Sequence, residues 1–205
     1  MIITLEGVMG SGKTTTAAAL AYVESQTTGR KVISNVHLNF PFTHFDIQFF
    51  LEHLADETLE DCILILDEAY LYLDARTSAG KLNKLFTYFM VQTRKRGVDL
   101  YVCTHHIDIV DKRLRRAVDI RGVCRYFEEN PCRECKGEGT VDSKNPCPRC
   151  LGYGKAGWVT TRFIDLRSGR RSRIRIHGPS FWGLFATEER IPFTAKQMKI
   201  PVGDL

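Results

Sequence analysis

Short apolar runs recur along the first two thirds of the chain. They lie at residues 2–6, 62–66 and 98–103, and the second run contains only Cys, Ile and Leu. Continuous runs of this length are typical of strands that are buried on both faces of a parallel sheet. Residues 31–40 are predicted to form a further extended segment.

Helical patterns separate these runs. Residues 13–26 are rich in Ala, and residues 45–54 carry apolar side chains at helical spacing. Between residues 80 and 96, apolar side chains at i, i+3, i+4 and i+7 predict one buried helix face. They are Leu82, Leu85, Phe86 and Phe89. Gly97 is predicted to end this helix.

The alternation of strands and helices over residues 1–127 predicts a doubly wound, mostly parallel α/β sheet, whose ligands bind at the carboxyl ends of the strands. Beyond it, residues 132–154 are rich in Cys and Gly, and residues 157–177 alternate like a β-hairpin that turns at Ser168-Gly169. We therefore predict three parts, which are a core at 1–130, a cysteine-rich insert at 131–156, and a basic hairpin with a C-terminal segment that packs back on the core at 157–205.

A phosphate-binding motif follows the first predicted strand and precedes the first predicted helix. It matches G-x-x-x-x-G-K-[ST], which identifies a P-loop. Its backbone N–H groups and the helix N-terminus attract phosphate, while Lys13 is expected to reach the β- and γ-phosphates and the Thr14 hydroxyl to ligate Mg²⁺. The predicted ATP-binding residues are Gly7, Val8, Met9, Gly10, Ser11, Gly12, Lys13, Thr14, Thr15 and Asp67.

Two carboxylates, Asp67 and Glu68, directly follow the apolar run at 62–66. This arrangement is typical of a Walker B element, although paired carboxylates also occur in solvated turns. Asp67 is expected to hold Mg²⁺ through water, and Glu68 to orient or deprotonate the attacking water. Together with Lys13 they are the predicted catalytic residues, and Glu68 makes ATP hydrolysis the predicted reaction.

The run at 98–103 ends in Thr104-His105-His106. In a parallel sheet these side chains would lie beside Asp67 and Glu68, so Thr104 or His105 is a candidate sensor of the γ-phosphate. A surface turn is the alternative interpretation.

Arg94-Lys95-Arg96 closes the predicted helix at 80–96. Cations there complement the negative end of the helix dipole. Alternatively, Arg94 or Arg96 acts as an arginine finger on the ATP of a neighbouring subunit, which requires a ring or filament.

Four of the seven cysteines belong to two copies of the motif C-x-x-C-x-G-x-G. They are Cys132, Cys135, Cys147 and Cys150. Four thiolates at this spacing predict a structural, tetrahedral Zn²⁺ site, and disulfides or redox chemistry are the competing interpretations. Cys62, Cys103 and Cys124 are isolated in apolar segments and are predicted to be buried.

The net charge of +5 comes from the last part of the chain, where residues 121–205 hold 16 Lys or Arg against 9 Asp or Glu. Six of these arginines crowd the predicted hairpin, with Arg133 and Arg149 nearby. They are Arg162, Arg167, Arg170, Arg171, Arg173 and Arg175. Arginine binds phosphate bidentately, so the cluster favours a sequence-independent contact with nucleic acid. A solvated basic edge that prevents aggregation is the alternative.

With 205 residues, 43% of them hydrophobic, the chain can bury a sizeable core. It starts without a cationic leader and cleavage site, and no apolar run is long enough to cross a bilayer. We therefore expect a cytoplasmic protein with reduced thiols.

Several of these segments together resemble the FtsK/HerA superfamily of DNA-pumping ATPases. They are Gly7–Thr14, Ser34–Val36, Leu64–Ala69, Gln92–Leu100 and Thr104–His106. Within this superfamily the chain looks most like the genome-packaging ATPases of viruses with an internal membrane and the zonula-occludens-toxin-like phage proteins. Phe181–Thr187 is similar to a late motif of the toxin-like group, and His105 stands where the family commonly has Gln.

The resemblance implies a hexameric ring that uses ATP to translocate double-stranded DNA into a viral capsid. It also implies a capsid or membrane-vertex protein as a partner, and the host cytoplasm or the virion as the location. The lack of a long apolar run favours packaging over phage extrusion. A phage assembly or export ATPase is an alternative, as is a nucleoside monophosphate kinase with a zinc-stabilised lid, which Leu5-Glu6-Gly7 and Thr14-Thr15 also resemble.

Overall fold

The computed structural model describes residues 1–55, 58–71, 81–142 and 144–185. Within them, eight strands form one mixed sheet. The strands are β1 (Ile2–Glu6), β2 (Lys31–Ser34), β3 (Thr43–His44), β4 (Cys62–Leu66), β5 (Asp99–Thr104), β6 (Ile120–Glu129), β7 (Ala156–Asp165) and β8 (Arg171–His177). The helices are α1 (Lys13–Thr28), α2 (Ile47–Ala55), α3 (Lys81–Gln92), α4 (Lys112–Ala117) and α5 (Gly178–Phe181).

The strand order is β3-β2-β4-β5-β1-β6-β7-β8. The strands from β3 to β6 are parallel, whereas β7 and β8 pair in antiparallel register. The predicted α/β sheet is therefore confirmed as a mixed sheet. The predicted hairpin extends the main sheet, because β7 pairs with the free edge of β6 along its whole length.

Apolar side chains pack on both faces of the parallel strands. On one face, Phe50 of α2, Phe86 of α3 and Leu114 of α4 cover β4 and β5. On the other face, the alanines of α1 pack against Ile63 and Ile65. Alternate residues of each strand thus enter different cores, as expected for a sheet covered on both sides. Cys62, Cys103 and Cys124 are buried in these cores, as predicted.

Two predicted elements end earlier than their patterns indicate. Helix α3 ends at Gln92 rather than at residue 96, because the Thr93 hydroxyl donates to the carbonyl oxygen of Met90 (2.9 Å) and Val98 N donates to Thr93 O (2.8 Å). Strand β2 ends at Ser34 rather than at residue 40. Gly80, the predicted start of α3, and Ala186-Thr187 of the aromatic tail lie outside the described residues, as does the C-terminal segment beyond Phe185.

After β8, the chain returns to the core through α5 and a 3-10 turn at Trp182–Leu184. Phe185 is buried against the α1 face and forms an isolated bridge with Leu38. Asn39 donates from its side chain to the carbonyl oxygen of Gly183 (2.7 Å). None of the helices in the described part of the chain has the length and apolar character of a membrane-spanning segment.

Candidate functional site

The loop between β1 and α1 rests directly on its neighbouring strands. Gly12 has φ +88°, in the left-handed region that favours glycine. A Cβ atom at Gly12 would collide with the methyl groups of Val159 in β7, and one at Gly7 would lie 2.8 Å from the carbonyl oxygen of Cys124 in β6. These close approaches fix the loop at the carboxyl end of β1.

Lys13 begins α1, and its side chain is buried over the loop. Its Nζ donates to the carbonyl oxygens of Gly7 (3.1 Å) and Val8 (3.2 Å). The loop leads directly into the positive end of α1, so this position suits a bound phosphate.

Thr14 and Asp67 meet although they are far apart in the sequence. The Thr14 hydroxyl donates to Asp67 Oδ2 at 2.7 Å. Burial raises the pKa of the Asp67 carboxyl, and the hydrogen bond from Thr14 opposes this effect. Because hydroxyl and carboxylate oxygens are ligands that Mg²⁺ prefers, this pair fits a magnesium ion next to the P-loop.

Asn35 holds Asp67 in place through its side-chain amide. Its Nδ2 donates to the carbonyl oxygen of Asp67, and its Oδ1 accepts from Asp67 N, both at 2.8 Å. This two-way contact requires the pairing of β2 with β4, which brings the two strand ends together. Asn35 was part of the sequence resemblance, but its contact with Asp67 was not predicted.

Glu68 has φ +48°, a conformation that is uncommon outside glycine and often found at functional sites. Its Oε2 lies 3.6 Å from His105 Nε2, and both side chains are partly exposed. Strand β5 lies between β1 and β4, so His105 is placed beside both the P-loop and Glu68. The Thr104 hydroxyl, in contrast, is buried and donates to the carbonyl oxygen of His106 (3.2 Å).

Arg94 and Arg96 lie in the turn between α3 and β5, at the opposite edge of the sheet from the P-loop. Arg94 is exposed, while Arg96 Nε donates to Gln92 Oε1 (3.2 Å). Neither side chain is therefore placed to reach the P-loop of its own chain. Their action on a neighbouring subunit stays a prediction.

The four knuckle cysteines converge in one buried cluster. The Sγ atoms of Cys132 and Cys147 are 3.9 Å apart, and those of Cys135 and Cys150 are 3.6 Å apart. A tetrahedral zinc ion with Zn–S bonds of about 2.3 Å requires sulfurs about 3.8 Å apart, whereas a disulfide requires about 2.05 Å. The cluster therefore fits a thiolate-bound metal and not a pair of disulfides.

The two knuckles are related by a local two-fold arrangement. Cys132 N donates to Gly154 O (2.9 Å), and Cys147 N donates to Gly139 O (2.8 Å). A Cβ atom at Gly139 would lie 2.5 Å from the carbonyl oxygen of Gly152 in the other knuckle. This close packing explains why glycine recurs at the same place in both motifs.

Arginines from three strands share one face of the antiparallel part of the sheet. Arg162 lies directly opposite Arg173 in the β7–β8 register, and the side chains at alternate positions follow the same face. The set comprises Arg121, Arg125, Arg162, Arg171, Arg173 and Arg175. We call it the arginine face.

Most of the arginine face lacks a carboxylate partner within the described residues. Arg121 pairs with the buried Glu6 through Nε (2.6 Å) and Nη2 (2.8 Å), and Arg175 stacks on Trp158 at 4.3 Å. The other four side chains of the arginine face are exposed, and none of them forms an ion pair within the described residues. They are Arg125, Arg162, Arg171 and Arg173. Of the remaining predicted arginines, Arg167 pairs with Asp119, and Arg133 and Arg149 pair with Glu129.

A cleft of about 580 Å³ opens from the P-loop toward the antiparallel strands. P-loop and α1 residues line one side, and residues from β6, β7, the second knuckle and the segment 182–185 line the other, among them Glu128 and Lys155. The aromatic side chains are Tyr126, Tyr153, Trp182 and Phe185. The sequence offered only one signal for this wall, the aromatic tail that contains Trp182 and Phe185.

The sheet and its glycine-rich loop define a P-loop nucleoside triphosphatase fold. The family described as zonular occludens toxin (Zot) matches residues 1–127, which is more than half of the chain, so the chain belongs to this family. This result confirms the resemblance seen in the sequence. No curated protein sequence gives a significant match.

Two solved structures show the same fold at low sequence identity. The N-terminal domain of zonular occludens toxin from Neisseria meningitidis has a TM-score of 0.57 and 17% identity, over 90% of this chain and 98% of that chain. The genome packaging NTPase B204 from Sulfolobus turreted icosahedral virus 2, in complex with ATP-gammaS, has a TM-score of 0.53 and 13% identity, over 84% and 95% of the two chains.

Proposed function

We propose that the chain is an ATPase that translocates double-stranded DNA during viral genome packaging. The observation that carries this proposal is the meeting of Lys13, Thr14, Asp67 and Glu68 at one edge of the sheet, with His105 beside Glu68. A packaging NTPase that shares the fold supports the biological setting.

Each residue of this edge has a role in the proposed hydrolysis. Lys13 binds the β- and γ-phosphates, and Thr14 and Asp67 would hold Mg²⁺, which neutralises phosphate charge. Glu68 accepts a proton from the water that attacks the γ-phosphorus. His105, 3.6 Å from Glu68, responds to whether the γ-phosphate is bound.

The arginine face supports the DNA part of the proposal. Arg162 and Arg173 lie directly opposite each other, and like charges in such pairs destabilise a sheet. Because this pair costs stability in the free protein, it favours a bound polyanion that compensates for the repulsion. Contacts to backbone phosphates would be independent of DNA sequence and sensitive to salt.

The cysteine cluster completes the proposal as a structural Zn²⁺ site. Its sulfur distances fit tetrahedral thiolate coordination, and all four side chains are buried. A hexameric ring, contact with a capsid or membrane-vertex protein, and residence in the host cytoplasm or the virion belong to the same proposal. Arg94 or Arg96 would act between subunits of that ring.

Two other functions each have an observation in their favour. Membership of the zonular occludens toxin family favours a phage assembly or export ATPase. The position of Tyr153 and Lys155, which bring the cysteine module to the P-loop cleft, favours a nucleoside monophosphate kinase with a zinc-stabilised lid.

Phosphate release from ATP, with and without linear double-stranded DNA, separates these functions. The proposal predicts turnover that rises with DNA and falls at high salt. Lys13→Ala and Glu68→Gln should each abolish it, whereas Glu60→Gln, a change of an exposed carboxylate away from the P-loop, should not. Turnover that ignores DNA but depends on a nucleoside monophosphate would favour the kinase and contradict the translocase.

A further inference from the structure

The cleft beside the P-loop lies on the side of β1 away from the hydrolytic residues. Asp67, Glu68 and His105 follow β4 and β5, whereas Tyr126 and Val159 belong to β6 and β7 on the other side of β1. If the γ-phosphate lies near Glu68, the ribose and base must extend in the opposite direction. That direction is the cleft.

Two of the aromatic rings that line this cleft, those of Tyr126 and Trp182, pack directly against glycines. A Cβ atom at Gly157 would collide with the ring and hydroxyl of Tyr126, and one at Gly178 would lie 2.8 Å from Trp182 Nε1. Both rings therefore lie against bare backbone, which fixes them at the cleft.

The second knuckle supplies the remaining part of the wall. The ring of Tyr153 meets the ring of Trp182 edge to face, with centroids 5.2 Å apart, and 51% of Tyr153 is exposed. Lys155 Nζ lies 5.9 Å from the Trp182 ring centroid. Exposed aromatic rings beside a cation offer stacking and charge to a nucleobase and its phosphates.

The position of Tyr153 depends on the cysteine cluster. Tyr153 N donates to Cys150 O (3.1 Å), and the neighbouring Gly154 O accepts from Cys132 N (2.9 Å). Loss of the thiolate-bound metal would therefore displace Tyr153 and Lys155 together.

We propose that this cleft binds the base of the nucleoside triphosphate, and that the cysteine module couples metal occupancy to nucleotide affinity by positioning Tyr153. The inference rests on the proposed nucleotide-binding function of the P-loop. It gives the cysteine module a role in ligand binding in addition to folding.

Binding of Mg-ATP and of magnesium tripolyphosphate to the full chain tests the inference by calorimetry, because tripolyphosphate has no base. Tyr153→Ala should weaken ATP binding about tenfold and leave tripolyphosphate binding unchanged, while Tyr153→Phe should retain the native affinity for both. Removal of the metal with a chelator should reproduce the pattern of Tyr153→Ala.

A second readout uses tryptophan fluorescence. Trp158→Phe leaves Trp182 as the only tryptophan of the chain. ATP should quench its emission, whereas tripolyphosphate should not. Quenching by ATP alone in this variant would show that the base binds beside Trp182.

The outcomes are distinguishable. Unchanged ATP affinity in Tyr153→Ala, or an equal loss for ATP and tripolyphosphate, would overturn the base site while leaving a functional P-loop in the native chain. Native protein that binds neither ATP nor tripolyphosphate would overturn the proposed function together with the inference.

Discussion

The phosphate-binding loop and the cysteine knuckles both depend on tightly packed glycines, but different neighbours hold them. The P-loop follows β1, whose residues are buried in two large apolar cores on both faces of the sheet. The buried cluster of the knuckles consists of the four cysteines and Ala156 alone among the described residues. The loop therefore rests on hydrophobic packing, whereas we infer that the knuckles rely on the metal proposed for their cysteines.

This difference shows how one chain combines two sources of stability. A sheet with two apolar faces keeps its loop in place without cofactors, since burial of aliphatic side chains contributes about 25 cal/mol per Å². The knuckles bury too little hydrocarbon for that. Binding of zinc by four thiolates would contribute their folding free energy instead.

Metal removal should have the largest effect on stability, and this effect should be confined to the cysteine knuckles. Structural zinc sites contribute about 10–16 kcal/mol of apparent binding free energy, so Cys147→Ser should unfold the knuckles. Amide exchange should become fast over 131–155 and stay slow in β1, β4 and β5. The control is the native chain with one zinc per monomer. Fast exchange throughout the sheet would contradict the separation between the knuckles and the core.

An alanine in a knuckle glycine should be more harmful than one in the hairpin turn. Gly139→Ala forces a Cβ atom to 2.5 Å from Gly152 O at φ +78°, so we expect a loss of at least about 2 kcal/mol and weaker zinc binding. Gly169→Ala has a similar φ of +71° but free space around the Cβ atom, so about 1–2 kcal/mol is expected. Denaturant unfolding with zinc present compares the two variants. Equal losses would show that the backbone contact between the knuckles is unimportant.

Within the core, Asn35→Ala should remove the support of Asp67. Two hydrogen bonds to a buried backbone are lost, so we expect about 1–3 kcal/mol of destabilisation and weaker magnesium-dependent ATP binding. Asn145→Ala, at an exposed position in the knuckles, serves as the control. If ATP binding by Asn35→Ala depends on magnesium as it does in the native chain, Asp67 does not need the hydrogen bonds from Asn35.

Substitution in the arginine face should have the smallest effect on stability, and it should stabilise the free protein rather than destabilise it. Arg173→Ala removes a like charge opposite Arg162, so the free protein should become more stable by about 0.2–1 kcal/mol. In DNA binding, the slope of log K against log salt should fall by about 1. Arg116→Ala, an exposed change on α4, should alter neither. Destabilisation without a change in salt slope would favour a purely structural role.

Local motifs were predictable from the sequence because their chemistry depends on spacing alone. The P-loop, the Asp67-Glu68 pair and the cysteine motifs required no knowledge of strand pairing. The run at 62–66 also predicted β4 with its observed bounds, since an uninterrupted aliphatic run leaves little choice of conformation.

Features that depend on pairing could not be predicted in this way. Arg121 and Arg125 of β6 join the hairpin arginines only because β6 and β7 pair in one particular register. The contact of Tyr153 with Trp182 depends on the return of the chain after β8. The early end of α3 was missed because the hydrogen bonds of Thr93 replace those of the helix.

DNA-stimulated ATP turnover of the double variant Arg162→Ala/Arg173→Ala tests most directly whether DNA bound at the arginine face stimulates ATP hydrolysis at the P-loop. We expect basal turnover to equal that of the native chain, because neither arginine touches the P-loop, and stimulation by linear double-stranded DNA to be largely lost. Full stimulation in the double variant, alongside a native chain that responds to DNA, would contradict the assignment of DNA to the arginine face.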